Sequence, residues 1–416
     1  MIRRRNILAA WICFLGGFFV LYQFLLQGST SLMVPTLMRD LCINLTEIGF
    51  LSSAFFYPYI LLQIPSGFII DKFGPKKTLF IGALILSLST LGFAFSEDFA
   101  TANTSRIIMG IASAPGVACA MYLAARWFPK RFTIVAGLLE MMGMLGGAAG
   151  DYFLEHAVND YGWRAAMIIC AVIGLALAAL ILIFVKGNAH ECCEIDKQTN
   201  CQTHTLKHFI VLLKDTDVWR YSLFGGLIFT IISAFASLWS IGFIQVLYPD
   251  QGNHAAHATA LIFIGAAVGA AGSGWLANKI RCSYVMQLFS LITLISFIIL
   301  LYIAIPFYLG NILLFLLGFG SGAYILPFPS IEKLSHPDAQ GMAMGFTNMI
   351  IIGLGGPILQ PLIGWILSWY QSAYQCNANT LGGFQTALLP ILIGLIIAVI
   401  LSFIPAKSAN VCNTSM

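Results

Sequence analysis

Residues 67–77 read GFIIDKFGPKK and lie where one apolar block of the chain ends and the next begins. The block before this stretch covers residues 44–70, and the block after it covers residues 77–96. Each block is long enough to cross the hydrocarbon core of a bilayer, which takes about 20 mostly apolar residues in a helix. The quoted stretch therefore indicates two membrane-spanning helices joined by a short basic loop.

The composition of the whole chain agrees with this local pattern. Of its 416 residues, 59% are hydrophobic and only 9% are charged, whereas roughly a quarter of the residues of a soluble domain are charged. The mean hydropathy is +0.87. A net charge of +4 is too small for a nucleic-acid binder. The composition predicts a protein with many spans in a lipid bilayer, and it excludes a soluble enzyme and a disordered chain.

Apolar blocks of similar length recur along the chain, and none alternates in polarity as a transmembrane β-strand does. We expect an all-α membrane protein with 12 transmembrane helices in two pseudo-symmetric six-helix bundles. The blocks lie near residues 7–37, 44–70, 77–96, 101–126, 132–157, 163–186, 218–247, 256–278, 284–304, 308–331, 340–369 and 381–405.

The basic residues indicate the direction of these helices, because cytoplasmic loops carry an excess of Lys and Arg. With the N-terminus inside the cell, all but three of the 21 Lys and Arg residues fall on the cytoplasmic side. The exceptions are Arg39, Arg106 and Arg164. This distribution needs an even number of spans and predicts that both termini are cytoplasmic.

A polar stretch at residues 187–217 divides the spans into two equal sets. We predict an N-terminal bundle over residues 1–190, a cytoplasmic linker over 191–216 and a C-terminal bundle over 217–416. A repeat at an offset of about 208 residues links the halves, a feature typical of transporters with a site between repeats. The repeat pairs are Gly67-x3-Asp71 with Gly274-x3-Asn278, Pro129 with Pro337, Gly137 with Gly345, Glu140 with Asn348, and Gly147 with Gly355.

The stretch quoted first resembles the G-x-x-x-D-R-x-G-R-R/K loop signature of the major facilitator superfamily. Arg106-x3-Gly110 resembles the second motif of that superfamily. The resemblance covers essentially the whole chain, including span number, charge topology and central loop. It implies a secondary active transporter that works by alternating access, without a cofactor and with no catalytic residues.

A narrower resemblance concerns residues 31–41, 55–59 and 63–67, which are similar to the phagosomal nutrient transporter group of intracellular bacteria. The run Arg126–Pro129 is similar to organic-anion/proton symporters. These resemblances imply proton-coupled import of a small polar organic solute, either an amino acid, a nucleoside or an organic acid. They place the chain, as a monomer, in the plasma (bacterial inner) membrane. The alternative is a proton-driven exporter or antiporter of a metabolite, a siderophore or a drug.

The loop signature implies a cytoplasmic gate. Asp71 and the lysines after it are expected to pair with the neighbouring bundle and to hold the outward-open state, while a glycine lets two helices approach closely. Asn278 stands where the second repeat often has an Asp, so its latch is expected to be weaker. The alternative is that the lysines only enforce topology. The gate residues are Gly67, Asp71, Lys72, Gly74, Lys76, Lys77 and Asn278.

Three ionisable residues fall inside predicted spans, where such groups are costly and therefore informative. Arg106 and Asp151 have similar predicted depths, so a pair between them is possible. Glu140 lies on the same helix face as Asp151, about 20° away around the axis. Our hypothesis is that Glu140 binds the proton or a substrate ammonium, with Arg106 and Asp151 tuning the outer half. The alternative is that Glu140 makes only a structural hydrogen bond.

The predicted helix that carries Glu140 also has glycines at positions 143, 146, 147 and 150. Small residues at this spacing favour close packing of helices, which we prefer to substrate contact. The resemblance and the predicted depth also give a set of candidate substrate-binding residues, although packing is the alternative for each aromatic member. They are Tyr22, Gln23, Tyr57, Trp239, Tyr324 and Asn348.

The remaining polar features favour no other function. A membrane-embedded enzyme is disfavoured because no Cys–His or Ser–His pair is placed to react, and no phosphate-binding Gly-x4-Gly-Lys loop occurs. The central loop contains Cys and His residues that are able to bind zinc, but their spacing favours a solvated linker, and we expect no metal. A disulfide between Cys42 and Cys376 is the less favoured alternative to free thiols.

Overall fold

The structure, a computed structural model, describes residues 2–128, 132–185, 215–334, 340–374 and 380–405. Within these ranges every regular element is a helix. The chain divides into two compact units, residues 1–197 and residues 198–416. The prediction of an all-helical protein is confirmed for the described ranges.

The first unit contains nine α-helices, numbered here in chain order over its described residues. The short segment Ser29–Met33 is a 3₁₀ helix between α1 and α2, and Gly150–Leu154 is a π-helix between α8 and α9. The α-helices are α1 (Ile2–Gly28), α2 (Val34–Asp40), α3 (Leu45–Ser53), α4 (Phe56–Leu61), α5 (Gln63–Ala94), α6 (Phe99–Ser113), α7 (Gly116–Trp127), α8 (Phe132–Ala149) and α9 (Glu155–Phe184).

The second unit has the same character, with π-helices at Ile231–Trp239 and Leu354–Leu359 and 3₁₀ helices at Pro249–His254 and Gly322–Ile325. Its described α-helices are α10 (Thr216–Thr230), α11 (Ser240–Leu247), α12 (Ala255–Ala277), α13 (Cys282–Tyr302), α14 (Phe307–Ser321), α15 (Pro327–Leu334), α16 (Gln340–Gly353), α17 (Gln360–Tyr374), α18 (Leu381–Ala387) and α19 (Leu389–Phe403).

Nine helical runs in the described residues are long and apolar enough to cross a membrane. A tenth is obtained if α18 and α19, which meet at a bend of 43°, form one span. The run Val135–Phe184 is 50 residues long, more than twice what a bilayer needs. A multi-span membrane protein is therefore confirmed, whereas the count of 12 and the cytoplasmic termini stay predictions.

Two glycines break runs of helix that would otherwise be continuous. Gly74 has φ 78° and ψ 156° inside α5, and Gly162 has φ 81° and ψ 162° inside α9. This backbone region is essentially restricted to glycine, because a side chain there collides with its own backbone. Gly74 thus turns the chain within the loop motif, where the Gly-Pro dipeptide is also a turn signal.

Helices α1 and α8 pack closely through glycine. A Cβ added at Gly146 would lie 2.2 Å from the carbonyl oxygen of Leu21. A Cβ at Gly150 would lie 3.4 Å from Cγ of Leu25. These contacts advance by four residues on both helices, so the helices run parallel in a fixed register. The close packing predicted from the glycine spacing is what the structure contains.

The carboxylate of Asp40 connects separate helices of the first unit through hydrogen bonds. The indole Nε1 of Trp163 donates to Oδ2 of Asp40 at 2.9 Å, and the guanidinium of Arg164 binds the same oxygen at 3.0 Å. Arg164 also donates to the carbonyl of Ser96 at 3.1 Å. These bonds connect α2, α9 and the turn after α5.

Candidate functional site

A cluster of four polar side chains lies among the apolar helices of the first unit, and we name it the Tyr59 cluster. Nε2 of Gln23 donates to the hydroxyl of Tyr59 at 3.3 Å. The same hydroxyl shares a hydrogen bond with the side chain of Gln63 and interacts electrostatically with Glu140. The four residues come from α1, α4, α5 and α8, so the fold brings together groups that are far apart in sequence.

The position of the Tyr59 cluster is fixed by packing on both sides. The rings of Phe55 and Tyr59 stack with centroids 5.9 Å apart. On the other side, a Cβ at Gly116 would lie 2.7 Å from Oε1 of Gln23 and 2.2 Å from Cε1 of Phe19. Gly116 begins α7, directly after the break between α6 and α7. Only a glycine there allows Gln23 to stand beside the chain.

The Tyr59 cluster has a defined chemical capacity. Carboxamides and a phenol both donate and accept hydrogen bonds, and a carboxylate accepts them and attracts ammonium groups. Gln23 is fully buried, and its Oε1 has no hydrogen-bond partner among the described residues. A buried acceptor of this kind is costly unless it is satisfied. The cluster thus suits a solute with hydroxyl, amide or ammonium donors.

Arg106 directs its guanidinium to backbone carbonyls at helix ends. It is fully buried, and its guanidinium donates to the carbonyls of Leu26 at 2.8 Å and Gln27 at 3.1 Å. It donates further to the carbonyls of Leu51 and Ser52, both at 3.4 Å. These carbonyls lie where α1 and α3 end, so they lack helical partners. Arg106 therefore joins two helix ends, and its expected pair with Asp151 is not formed.

Asp151 lies in the π-helix after α8, where it is 3% exposed. Its Oδ2 has no hydrogen-bond partner among the described residues. Single π-helical turns inside α-helices are rare and are frequent at functional sites. Glu140 and Asp151 do belong to the same helical run, as predicted.

The two predicted tyrosines of the first unit lie in unlike surroundings. The hydroxyl of Tyr22 donates to the carbonyl of Cys170 at 2.9 Å, and the residue is 2% exposed. It packs against Gly174, where an added Cβ would lie 2.4 Å from the Tyr22 hydroxyl. Tyr57 is 41% exposed. The predicted substrate contacts of both tyrosines stay predictions.

The second unit contains a polar network around Trp239, one of the candidate substrate-binding residues predicted from the sequence. The indole of Trp239 donates to the carbonyl of Gln360 at 3.2 Å. Nε2 of Gln360 donates to the carbonyl of Ser233 at 2.8 Å and to Oγ of Ser237 at 2.9 Å. Ser233, Ser237 and Trp239 lie in one π-helix, and Gln360 follows the other. The network therefore holds two irregular turns together.

The other two predicted residues of the second unit are Tyr324 and Asn348. The ring of Tyr324 packs on Phe229 with centroids 4.8 Å apart, and the residue is 6% exposed. Asn348 is half-buried in α16. Sequence reasoning missed Tyr59, Gln63 and Gln360, although a glutamine within an apolar block was an available signal for two of them.

The loop motif is described in part. Gly74 makes the turn, and Lys72 places its Nζ 5.5 Å from the ring centre of Phe73. Lys77 is exposed, and Lys76 is half-buried. Asn278 caps α12 through its backbone, beside a cation–π contact in which Nζ of Lys279 lies 3.8 Å from the ring centre of Trp275.

Several predictions fall outside the described residues. These are the side chain of Asp71, the Cys and His residues of the central loop, and Cys376 with its less favoured disulfide to Cys42. Cys42 itself is an exposed free thiol.

Comparisons with known proteins agree with the fold. A profile of the Major Facilitator Superfamily matches residues 13–360. The probable sulfoacetate transporter SauU of Cupriavidus necator is 26% identical over 198 residues, which are 47% of this chain and 45% of that protein. The hexuronate transporter of Bacillus subtilis is 27% identical over 180 residues, 43% and 42% of the two chains. The matches thus span less than half the length of these relatives.

Solved structures show the same fold at low identity. A bacterial homolog of the human lysosomal transporter Spinster, inward-facing and unoccupied, has a TM-score of 0.76 at 14% identity, covering 95% of this chain and 96% of that one. The nucleoside transporter NupG has a TM-score of 0.70 at 17% identity, covering 94% and 97%. At these identities the likeness concerns the fold alone.

Proposed function

Because the chain belongs to the major facilitator superfamily, we propose that it is a secondary active transporter that imports a small polar organic solute with protons. The observation that carries the proposal is the Tyr59 cluster, in which Gln23 and Gln63 bond to the Tyr59 hydroxyl and Glu140 supplies a negative charge near it. Groups of this kind inside a membrane-spanning unit are costly and mark substrate or ion pathways. Family and fold point to a transport protein and not to an enzyme.

The solute class follows from the donors and acceptors of the Tyr59 cluster. Its members are neutral apart from Glu140, and the buried guanidinium of Arg106 donates to backbone carbonyls. A neutral or zwitterionic solute such as an amino acid or a nucleoside fits these groups. An organic acid is the third class, and the names of SauU and the hexuronate transporter favour it.

The remaining parts of the proposal concern the whole chain. Alternating access places the loop around Gly74 at a cytoplasmic gate, where Asp71 and the lysines hold one state. Both termini lie in the cytoplasm, and a monomer resides in the plasma (bacterial inner) membrane. The bacterial relatives and the distribution of Lys and Arg support this placement.

Uptake into proteoliposomes tests the proposal. We expect the purified chain to accumulate a labelled amino acid, nucleoside or sugar acid only when the outside is acidic. Reversing the pH gradient distinguishes import from export by antiport, because an antiporter accumulates solute when the lumen is acidic. No transport of any of the three classes in either direction would contradict the function.

The role of Glu140 is tested in the same vesicles. Glu140→Gln is expected to lower uptake at least tenfold, which corresponds to about 1.4 kcal/mol. The control is Glu97→Gln, since Glu97 is exposed and lies before α6. Unchanged uptake with unchanged proton dependence would remove Glu140 from the mechanism.

A further inference from the structure

Two irregular turns of the first unit meet beside α1. The 3₁₀ helix Ser29–Met33 follows α1, the π-helix Gly150–Leu154 follows α8, and the two segments pack against each other. The register explains the meeting. Gly146 lies against Leu21 and Gly150 against Leu25, so the next residues of both chains continue side by side. In this register Leu154, the last residue of the π-helix, is level with Ser29, the first residue of the 3₁₀ helix, so the two breaks follow one another along the packed helices.

Each of these turns carries a buried oxygen without a partner. The two atoms are Oγ1 of Thr30 and Oδ2 of Asp151. Thr30 is 0% exposed and Asp151 is 3% exposed. Neither atom has a hydrogen-bond partner among the described residues. A threonine in a helix normally bonds to a carbonyl of the preceding turn, but the carbonyls of Leu26 and Gln27, four and three residues before Thr30, accept from Arg106. The two oxygens belong to segments in contact.

The carboxylate of Asp151 is costly when it is ionised, because the residue is buried and its Oδ2 has no hydrogen-bond partner among the described residues. Removing it from water costs several kcal/mol unless a counter-charge or hydrogen bonds compensate. No guanidinium compensates here, because the described hydrogen bonds of Arg106 all go to backbone carbonyls. A proton or a small hard cation bound by oxygen ligands removes the cost. Broken helices are also the places where transporters coordinate Na⁺ and protons.

We propose that Asp151 and Thr30 hold a monovalent cation, a proton or Na⁺, whose gradient drives the transport proposed above. The carboxylate of Asp151 supplies the charge, and the hydroxyl of Thr30 supplies a neutral oxygen. This assignment leaves Glu140 to the ammonium or hydroxyl of the solute. Cation and solute then act on the same helical run, since Gln23 lies seven residues before Thr30.

The charged groups around Asp151 favour cation binding. Glu155, at the start of α9, acts on Asp151 electrostatically, and a second acid strengthens attraction for a cation. The neighbouring His156 directs Nδ1 to the carbonyl of Tyr152 at 2.7 Å. On α8 the nearest acid is Glu140, on α1 the titratable Tyr22 is bonded to Cys170, and the 3₁₀ helix has no titratable residue.

Thermal denaturation of the purified full chain in detergent tests the site without transport. The chain is melted in NaCl, KCl and choline chloride at equal ionic strength, at several values between about pH 5 and 8. If Na⁺ is the ligand, NaCl at about 100 times its Kd raises Tm by several degrees over KCl. If the ligand is a proton, the salts are equivalent and Tm falls as the pH rises.

The variants assign the response to these two oxygens. Asp151→Asn is expected to abolish the Na⁺ shift or the pH dependence, and Thr30→Val to reduce it at least fivefold. The matched control is Thr36→Val, since the hydroxyl of Thr36 is already bonded to the carbonyl of Met33 at 2.9 Å. If Asp151→Asn does not fold, the proposal is judged from the ion response of Thr30→Val alone. A full ion response in the variants, or no response of the wild type, would overturn the proposal.

The test is separable from that of the proposed function. Melting measures cation binding even if no solute is transported. In the uptake test the wild type and Glu140→Gln both keep Asp151, so the difference between them reports on Glu140 alone. A chain that binds a cation but moves none of the tested solutes would contradict only the proposed function.

Discussion

Arg106 shows most clearly how a single residue is used in this protein. Its charge inside an apolar block suggests ion coupling, whereas its donors are bonded to the carbonyls of Leu26, Gln27, Leu51 and Ser52. A planar guanidinium with five donors suits such a junction, and a lysine with one ammonium does not. The residue therefore stabilises two helix ends that the 3₁₀ turn and the α3–α4 break leave open.

We expect Arg106→Met to lower the free energy of unfolding by about 3–5 kcal/mol, because four buried carbonyls lose their donors. Thermal or denaturant unfolding in detergent measures the loss. The control is Arg39→Met, since the Arg39 side chain is 76% exposed and its ion pair with Asp40 is a surface pair, worth about 0–1 kcal/mol. Equal stability of the two variants would contradict this role.

Glu140 and Asp151 differ in a way that sequence position does not reveal. Both are acids on one helical run, yet Glu140 interacts with Tyr59 while Oδ2 of Asp151 has no described hydrogen-bond partner. The difference arises from the neighbours of each residue, since the 3₁₀ helix Ser29–Met33 packs against the π-helix that carries Asp151. We therefore assign solute and cation to different acids.

At the scale of the element, the informative positions are the two glycines that interrupt helical runs. Gly74 and Gly162 turn the chain with positive φ, and neither would bring an added Cβ within 4 Å of another atom. The glycine requirement at both positions is therefore conformational and not steric. The Gly-Pro step at residues 74–75 is a turn signal, and Gly162 lies in the gap between the predicted blocks 132–157 and 163–186.

Gly74→Ala is expected to destabilise the protein by about 1–3 kcal/mol, the cost of an ordinary residue in this backbone region. Gly137→Ala is the matched control. Gly137 lies within α8 and likewise has open space around an added Cβ, so alanine there should stabilise by about 0.5–1 kcal/mol. Unfolding in detergent measures both, and a destabilisation of the same size at Gly137 would contradict the conformational argument.

Asp98 caps α6 and makes the stability of this helix depend on pH. Its carboxylate accepts the backbone N–H of Thr101 at 2.7 Å and the Thr101 hydroxyl at 2.8 Å. These hydrogen bonds lower the pKa of Asp98 below its ordinary 3.8. The stabilisation is thus present above the ordinary pKa and is lost as the pH falls through the lowered one.

Asp98→Asn keeps the cap but removes the titration, because asparagine is an equally good N-cap residue. We expect a smaller fall in Tm than in the wild type on acidification from about pH 6 to 3. Asp98→Ala should lower Tm over the whole range, since both bonds are lost. An unchanged acid dependence in Asp98→Asn would show that other groups dominate.

At the scale of the whole molecule, the orientation in the membrane is the prediction with the widest consequences. The lysines of the loop motif and the exposed thiol of Cys42 are expected on opposite sides. In a Cys376→Ser background, a membrane-impermeant maleimide should label Cys42 in intact cells. Cys42→Ser in that background is the control and should abolish the labelling. Labelling of Cys42 only after permeabilisation would reverse the predicted topology.

The two units also show how far the repeat extends. π-helices occur at Gly150–Leu154 and Leu354–Leu359, close to the offset of about 208 residues read from the sequence. Their side chains have diverged, since one turn carries Asp151 and the other is followed by Gln360 with its full set of bonds. The repeat therefore preserves the irregular backbone while the chemistry of each half differs.

The sequence by itself determined the helical class, most of the spans, their expected direction and the family. Hydrophobicity and charge are properties of each residue that add along the chain, so they can be read without a fold. It also selected Gln23, Glu140 and Trp239, which take part in polar contacts.

Only the tertiary structure decided the partners of these groups. Whether Arg106 bonds to Asp151 or to four carbonyls depends on where the helices end and on the register in which α1 packs against α8. Contacts between distant segments also set the 3₁₀ helix of Thr30 against the π-helix of Asp151 and bring Gln23 to the hydroxyl of Tyr59. These partners are set by contacts between residues that are distant in sequence. Close packing allows one arrangement of such contacts, and the local sequence pattern does not specify it.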